Sequence, residues 1–172
     1  EVGPNNKLKK KKEWALAYSA TRDGFSATVF HKLCDNRGPS VTVARTTDGF
    51  IFGGYNSTSW SSSTCWKPAT DTFLFSLVNP YNDGPRKLKV KNNQRAVYNH
   101  PSFGPTFGGG GNMSYFDPYD IYIDSSMAHG HTNVGNSYST FRGGWRSDEA
   151  QKSLAGSLNS WTLNECEVFV LQ

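Results

Sequence analysis

One segment, PSVTVARTTDGFIFGGYNS at residues 39–57, constrains the fold more than any other stretch of the chain. Val41 and Val43 alternate with polar residues, which is the period of a half-buried strand. The dipeptide Asp48-Gly49 then supplies the positive φ angles of a tight turn, and an aromatic run at 50–55 forms a returning strand. The segment therefore predicts a β-hairpin.

The same character extends along the chain, whose 11 Phe, eight Tyr and five Trp are separated every few residues by Gly, Ser, Thr or Asn. This combination favours strands joined by many turns, and it predicts a mostly β fold. Further strands are indicated by alternating or apolar runs at the segments EWALAYSA, TFLFSLVNP, RKLKVKNNQ and NECEVFVLQ. The last of these ends in an apolar run, which predicts a central position in a sheet.

A helix is predicted where Ser26 can cap the run ATVFHKL and Val29, Phe30 and Leu33 share one face. Residues 125–160 are rich in Gly, Ser, Asn and Tyr, and we predict irregular structure there.

The length of 172 residues suits one domain over 13–172. Residues 1–12 contain five of the 18 basic residues and one of the 14 acidic residues, so residues 13–172 contain 13 basic and 13 acidic residues. Residues 1–12 are therefore predicted to be a flexible basic tail.

Two groups of glycines raise the question of whether they bind a phosphate or serve the packing of the backbone. Gly108, Gly109, Gly110 and Gly111 lack the Gly-Lys-Ser/Thr ending of a P-loop, the GxGxxG spacing and a following helix. They are predicted to let the backbone pass close to another strand, rather than to hold a phosphate. Gly53 and Gly54, inside the predicted returning strand, likewise indicate a bulge or a close backbone approach.

The sequence also carries candidates for metal binding and catalysis. His129-Gly130-His131 lies near Asp117, Asp120 and Asp124 in the chain, but its Gly, Asn and Ser neighbours favour a solvated loop over a metal site. We predict no metal and no cofactor. A hydrolase or redox enzyme is an alternative, with paired carboxylates at Glu165 and Glu167, which point to one face, or a thiol beside a histidine. The residues for the thiol version are Cys34, Cys65 and Cys166 with His31, His100 or His129.

Other functional classes are weighed by composition. No apolar run reaches the 18 to 20 or so residues of a membrane helix, and no signal peptide opens the chain, so we expect a cytoplasmic protein without membrane insertion. The chain begins at Glu rather than Met, and we expect further domains beside it. A recognition module for glycans is an alternative suggested by the loops around Trp60, Trp66 and Trp145. Nucleic acid is not expected, because the lysines of RKLKVK lack interleaved aromatic residues.

Taken in order, six segments resemble the TLDc domain, the module shared by the oxidation-resistance proteins and their relatives. They extend from residue 24 to residue 171. The run FHKLCDNRGP is similar to that of TLDc domains in interferon-induced GTPase-like proteins and in mosaic proteins of invertebrates and protists. The six segments are GFSATVFHKLCDNRGPSVTVAR, DGFIFGGYNSTSW, DTFLFSL, FGGGGNMSYF, YIDSSMAHGH and LNECEVFVL.

This resemblance implies two antiparallel sheets packed as a sandwich, with a few short helices at the edges. It also implies protection against oxidative damage and binding to the vacuolar proton pump, whose disassembly several members promote. No catalytic reaction comes with the family, so we expect a non-catalytic protein-interaction domain, monomeric in isolation, whose partners are proteins such as pump subunits. The binding candidates match the family's Asp, His-Gly and paired-acid positions, and they are Asp124, His129, Gly130, Glu165 and Glu167.

Overall fold

The computed structural model describes residues 12–109 and 119–172. Within these ranges the chain forms short helices at α1 (Ala20–Asp23), α2 (Ala27–Cys34) and α3 (Asp148–Ala155), and a 3-10 turn at Asn93–Arg95. The remaining elements are the strands β1 (Trp14–Ser19), β2 (Ser40–Thr46), β3 (Ile51–Asn56), β4 (Cys65–Lys67), β5 (Phe73–Val78), β6 (Arg86–Lys89), β7 (Val97–Asn99), β8 (Thr106–Phe107), β9 (Ile121–Ile123), β10 (His129–Thr132) and β11 (Ser160–Leu171).

The strands form two antiparallel sheets that share β11. The first sheet has the order β1-β11-β2-β3-β5-β6, and the second has the order β4-β7-β8-β9-β10-β11. The start of β11 pairs with β10, and the rest pairs with β1 and β2 after an irregularity between Leu163 and Glu165. A bulge of this kind bends a strand, which lets one strand serve both sheets. The predicted mostly β, two-sheet TLDc-like architecture is confirmed, as is the central place of the last strand.

Large aromatic side chains fill the space between the sheets. Phe52 of the first sheet contacts Trp161 at 5.3 Å between ring centroids, and Trp60 contacts Phe107 of the second sheet at 5.4 Å. Gly54 lies opposite Phe107, where an added Cβ would be 2.6 Å from the ring. The absence of a side chain at Gly54 therefore lets the two sheets pack closely.

The predicted hairpin is confirmed by the pairing of β2 with β3, although its turn differs in detail. Gly49 has a φ of +88°, and the residues of positive φ do not include Asp48. The amide of Gly49 donates to the carbonyl of Thr46, as expected of a turn closed by one left-handed glycine. At Gly53 an added Cβ would be 1.9 Å from the carbonyl oxygen of Thr42. The pairing of β2 with β3 runs through Gly53 without interruption, so close approach rather than a bulge explains this glycine.

The predicted helix at Ser26 is confirmed as α2, but its predicted side-chain cap is wrong. Ser26 occupies the N-cap position, yet its hydroxyl makes no capping hydrogen bond. Phe30 and Cys34 are buried, and Val29 and Leu33 pack against the core. Burial of this apolar face, rather than a side-chain cap, holds the helix in place.

The prediction of irregular structure over 125–160 is wrong at two elements, β10 and α3. Ser147 caps α3 by accepting a hydrogen bond from the amide of Ala150 at 3.2 Å. Asp148 and Glu149 lie in the first turn, where they face the positive end of the helix dipole, and Gly156 ends the helix with a φ of +76°. The segment SDEAQKSLAG thus contained start and stop signals that its polar surroundings obscured.

The two N-cap serines provide a direct comparison of capping energies. Ser147→Ala is expected to lower the free energy of unfolding by about 1 kcal/mol, because the amide of Ala150 loses its acceptor. Ser26→Ala is the matched control and should cost clearly less, since Ser26 makes no side-chain cap bond. Urea unfolding of both variants measures the difference, and equal losses would contradict the assignment.

Candidate functional site

The first group of predicted binding residues lies on the hairpin formed by β9 and β10. His129 begins β10 as an exposed side chain, and its Nδ1 lies 3.8 Å from Oδ2 of Asp124. Oδ1 of Asp124 accepts hydrogen bonds from the amide and the hydroxyl of Ser126, at 3.0 and 2.6 Å. The predicted loop at His129-Gly130-His131 is wrong, because these residues pair with both β9 and β11. Asp124 and His129 thus stand together at one end of a strand pair.

Gly130 has a packing role within this hairpin. An added Cβ would be 2.1 Å from the carbonyl oxygen of Tyr122 and 2.4 Å from the ring of Trp161. Only a residue without a side chain allows the backbone of β10 to approach both neighbours so closely. Gly130 therefore positions His129 and His131 on their strand.

Glu165 and Glu167 lie on one face of β11, as predicted, and the carboxylate of Glu165 is fully engaged. It accepts hydrogen bonds from the amide and hydroxyl of Thr21, from the hydroxyl of Ser19 and from the amide of Cys166. Burial would raise the pKa of Glu165, but these donors outweigh burial and lower the pKa below its ordinary value. Glu165 consequently acts as an ionised anchor that ties α1 to β11.

The predicted metal candidates do not converge. Within 12–109 and 119–172, no three His, Cys, Asp or Glu side chains are close enough to hold a metal ion. Asp117 lies outside the described residues, and Asp120 is buried. The hairpin therefore offers one acidic and one imidazole group rather than a coordination shell.

Two of the three thiols lie in the core. Cys34 and Cys166 are buried, and burial raises the pKa of Cys34 to about 12 and the pKa of Cys166 further still. His31 is buried with Nδ1 at 2.8 Å from Asp35 and Nε2 at 2.9 Å from the carbonyl oxygens of His100 and Phe103. Nε2 thus connects α2 to the segment after β7, whereas Nδ1 binds Asp35, the C-cap residue of α2, and the core interpretation of Cys34 and Cys166 is confirmed.

A thiol-labelling experiment tests this arrangement. The native domain is expected to react with a disulfide reagent at Cys65, which is partly exposed, and to leave Cys34 and Cys166 unmodified. The buried thiols are protonated as well as inaccessible, and the thiolate is the reacting form. One equivalent of released thiol chromophore in buffer, against three in guanidinium, is the expected result. Cys65→Ser should abolish the fast reaction, and rapid labelling of that variant would contradict the burial.

The buried carboxylate of Asp120, which the sequence suggested only as a metal candidate, holds the segment that follows β10. Asp120 accepts hydrogen bonds from four consecutive backbone amides, at 2.8 Å from Gly135, 3.1 Å from Asn136, 2.8 Å from Ser137 and 3.3 Å from Tyr138. The irregular segment after β10 is thereby held on the end of β9. The signal available in the sequence was an acid directly before the apolar residues of a buried strand.

This carboxylate is expected to make stability depend on pH. Burial raises the pKa of Asp120 from 3.8 to about 7, although the four amide donors oppose the rise. The folded state then binds this proton more tightly than the unfolded chain, so the contribution of Asp120 to stability falls between pH 3.8 and about 7 and is constant above that range. Asp23 and Glu165, whose pKa values are lowered, give the opposite slope at acid pH.

Urea unfolding across this range for the wild type and for Asp120→Asn isolates the effect. The difference between the two proteins is expected to shift in favour of the variant as pH rises. A constant difference would show that Asp120 does not titrate in this range.

The glycines after β8 pack around the same carboxylate. Gly108 has a φ of +66°, and an added Cβ would be 2.0 Å from Oδ2 of Asp120. The amide of Gly109 lies 3.2 Å from Oγ of Ser137, and an added Cβ there would be 2.4 Å from the ring of Trp66. The side chains of Asp120 and Trp66 thus leave no room for a Cβ at Gly108 or Gly109, and a close approach of these glycines to another strand stays a prediction. Gly110 and Gly111 lie outside the described residues.

The tryptophans considered for glycan recognition and the lysines considered for nucleic-acid binding lie in different parts of the fold. Trp60 is buried in the core, Trp66 packs on Tyr98, and Trp145 is 48% exposed, so these tryptophans do not form the predicted loop surface. On β6, Lys87 and Lys89 are exposed and Leu88 is buried, which confirms the predicted basic outer face. Among the residues described, no helix is long and apolar enough to cross a membrane.

A sandwich of two antiparallel sheets that share one long strand, with short helices at its margins, defines the class of protein. The chain belongs to the TLDc family, whose domain matches residues 3–172.

Three relatives illustrate the range of similarity. The MTOR-associated protein MEAK7 of Danio rerio is 29% identical over 129 residues, which are 70% of this chain and 26% of that protein. MEAK7 of Gallus gallus is 31% identical over 133 residues, or 71% of this chain and 25% of that protein. Oxidation resistance protein 1 of Xenopus tropicalis is 24% identical over 126 residues, which are 70% of this chain and 13% of that protein. The chain therefore spans about a quarter of the length of the MEAK7 proteins.

Proposed function

We propose that this TLDc domain is a non-catalytic protein-interaction module of a larger protein. The observation that carries the proposal is the match to MEAK7, whose name records an association with MTOR. The chemistry of the described residues supports it, because Glu165 is held by Thr21 and Ser19, and Cys34 and Cys166 are buried. Groups so engaged serve the fold rather than a reaction.

The partner that we propose first is the vacuolar proton pump, which the TLDc resemblance implies, with a role in protection against oxidative damage. The similarity to Oxidation resistance protein 1 supports the second part of this proposal. An MTOR-containing complex is a second candidate partner, since it appears in the name of the MEAK7 relatives. On either alternative the sandwich acts as a rigid support for a docking surface.

A pull-down with the immobilised domain tests these partners. The isolated catalytic sector of the pump is expected to be retained at micromolar concentration, and a purified MTOR complex is passed over the same resin. A melting curve of the immobilised protein confirms that it is folded, and resin carrying heat-denatured domain is the control. Retention of the MTOR complex alone would reassign the partner. Retention of neither by the folded domain would overturn both assignments.

A further inference from the structure

The outer face of the first sheet is apolar over the part that lies beyond Arg45, Glu165 and Glu167, although the opposite face of this sheet already packs inside the sandwich. An antiparallel sheet of this kind normally alternates apolar residues toward the core with polar residues toward water. Here Trp14 is 47% exposed and Leu16 is 37% exposed, and their outward-facing neighbours on the other strands remain partly exposed. Those neighbours are Val41, Val43, Tyr55, Phe73, Phe75, Phe169 and Leu171. A contiguous apolar patch of this kind marks an interaction site.

Aromatic rings form a row across this face. Trp14 meets Tyr55 edge-on at 6.3 Å between centroids, and Tyr55 meets Phe73 at 5.3 Å. The ring of Phe75 covers Gly53, where an added Cβ would be 2.9 Å from it. Because neighbouring rings and strands hold them, these side chains lose little entropy when a partner covers them. We call the row of Trp14, Tyr55 and Phe73 the aromatic row.

Cations border the aromatic row on β6. Nζ of Lys87 lies 3.8 Å from the centre of the Phe73 ring, and Arg86 and Lys89 are exposed on the same strand. A cleft of about 250 Å³ opens at this border, lined by Phe73, Lys87 and Lys89 together with Asp71. The two lysines outnumber the single carboxylate, so the border attracts an anionic group.

We propose that the aromatic row and its lysine border dock an acidic amphipathic segment of a partner protein. Apolar side chains of that segment cover Trp14 and Tyr55, and a carboxylate enters the cleft beside Lys87 and Lys89. The apolar area supplies most of the affinity, and the charges set orientation and the rate of association. This inference rests on the proposed interaction function and assigns it a surface and a class of partner.

Selection from a display library of short random peptides against the folded domain tests the proposal. Enriched sequences are expected to combine Asp or Glu with Leu, Ile or aromatic residues. Trp14→Ala and the double variant Lys87→Glu with Lys89→Glu should each weaken an enriched peptide by about tenfold or more. The matched controls are Trp145→Ala, which removes a 48% exposed tryptophan elsewhere, and Lys32→Glu on α2, and both should leave the affinity unchanged.

Several outcomes would overturn the proposal. Enrichment of neutral or basic peptides, or equal binding to the double variant, would place docking on another surface while leaving the interaction function intact. Absence of enrichment would reject the acidic segment as the occupant. Two further assays identify other occupants: binding to phosphatidylserine vesicles that is lost in Trp14→Ala would assign a membrane surface, and concentration-dependent mass in sedimentation would assign a second copy. If peptides bind as expected but the pump is not retained, this surface stands and only the named partner fails.

Discussion

Asp120→Ala is expected to leave the domain largely unfolded at room temperature. Four backbone amides, from Gly135 to Tyr138, would lose this acceptor, and those of Gly135, Ser137 and Tyr138 lie in the interior of the protein. Each buried donor without a partner costs about 1 to 3 kcal/mol, and the sum approaches the whole stability of about 5 to 15 kcal/mol of an ordinary domain. Circular dichroism during urea titration measures the loss.

Two comparisons make this result specific to the buried carboxylate. Asp120→Asn keeps one acceptor oxygen and should be less destabilised than Asp120→Ala. Asp71→Ala removes an exposed carboxylate and is expected to change the free energy of unfolding by less than about 0.5 kcal/mol. An Asp120→Ala protein that melts like the wild type would show that the segment after β10 is held by other contacts.

Gly130→Ala is the second substitution for which a large effect is expected. The new methyl group would lie 2.1 Å from the carbonyl oxygen of Tyr122 and 2.4 Å from the buried ring of Trp161. Neither can retreat freely, because the first belongs to the pairing of β9 with β10 and the second packs on Phe52. A loss of about 3 kcal/mol, the upper end of the usual cost of overpacking, is expected in urea unfolding.

The neighbouring residue supplies the control for this substitution. His129→Ala changes an exposed side chain on the same strand and should alter stability by less than about 0.5 kcal/mol. If Gly130→Ala instead melts normally and loses a partner, Gly130 is a contact residue as the family motif suggested. If it fails to fold, the His-Gly pair combines a solvent-facing histidine with a packing glycine.

Strands in which apolar and polar residues alternate clearly were predictable from local sequence. The β2–β3 hairpin, the basic face of β6 and the apolar end of β11 were all assigned from alternation and turn residues. The weaker elements were missed because their signals are short. β10 is four residues long and contains Gly130, which lowers strand propensity, and α3 has few apolar residues in a polar region.

By itself the sequence determined the class of fold and the family, because side-chain period and turn chemistry act over a few residues and six motifs keep their order. Only the tertiary structure decided what the polar residues do. Asp120 meets amides 15 to 18 residues away, and Glu165 meets Thr21 across 144 residues. The tertiary structure also placed Trp14, Tyr55 and Phe73 on the outer face of the first sheet. Such partners come from distant segments, and alternation within one strand carries no information about them.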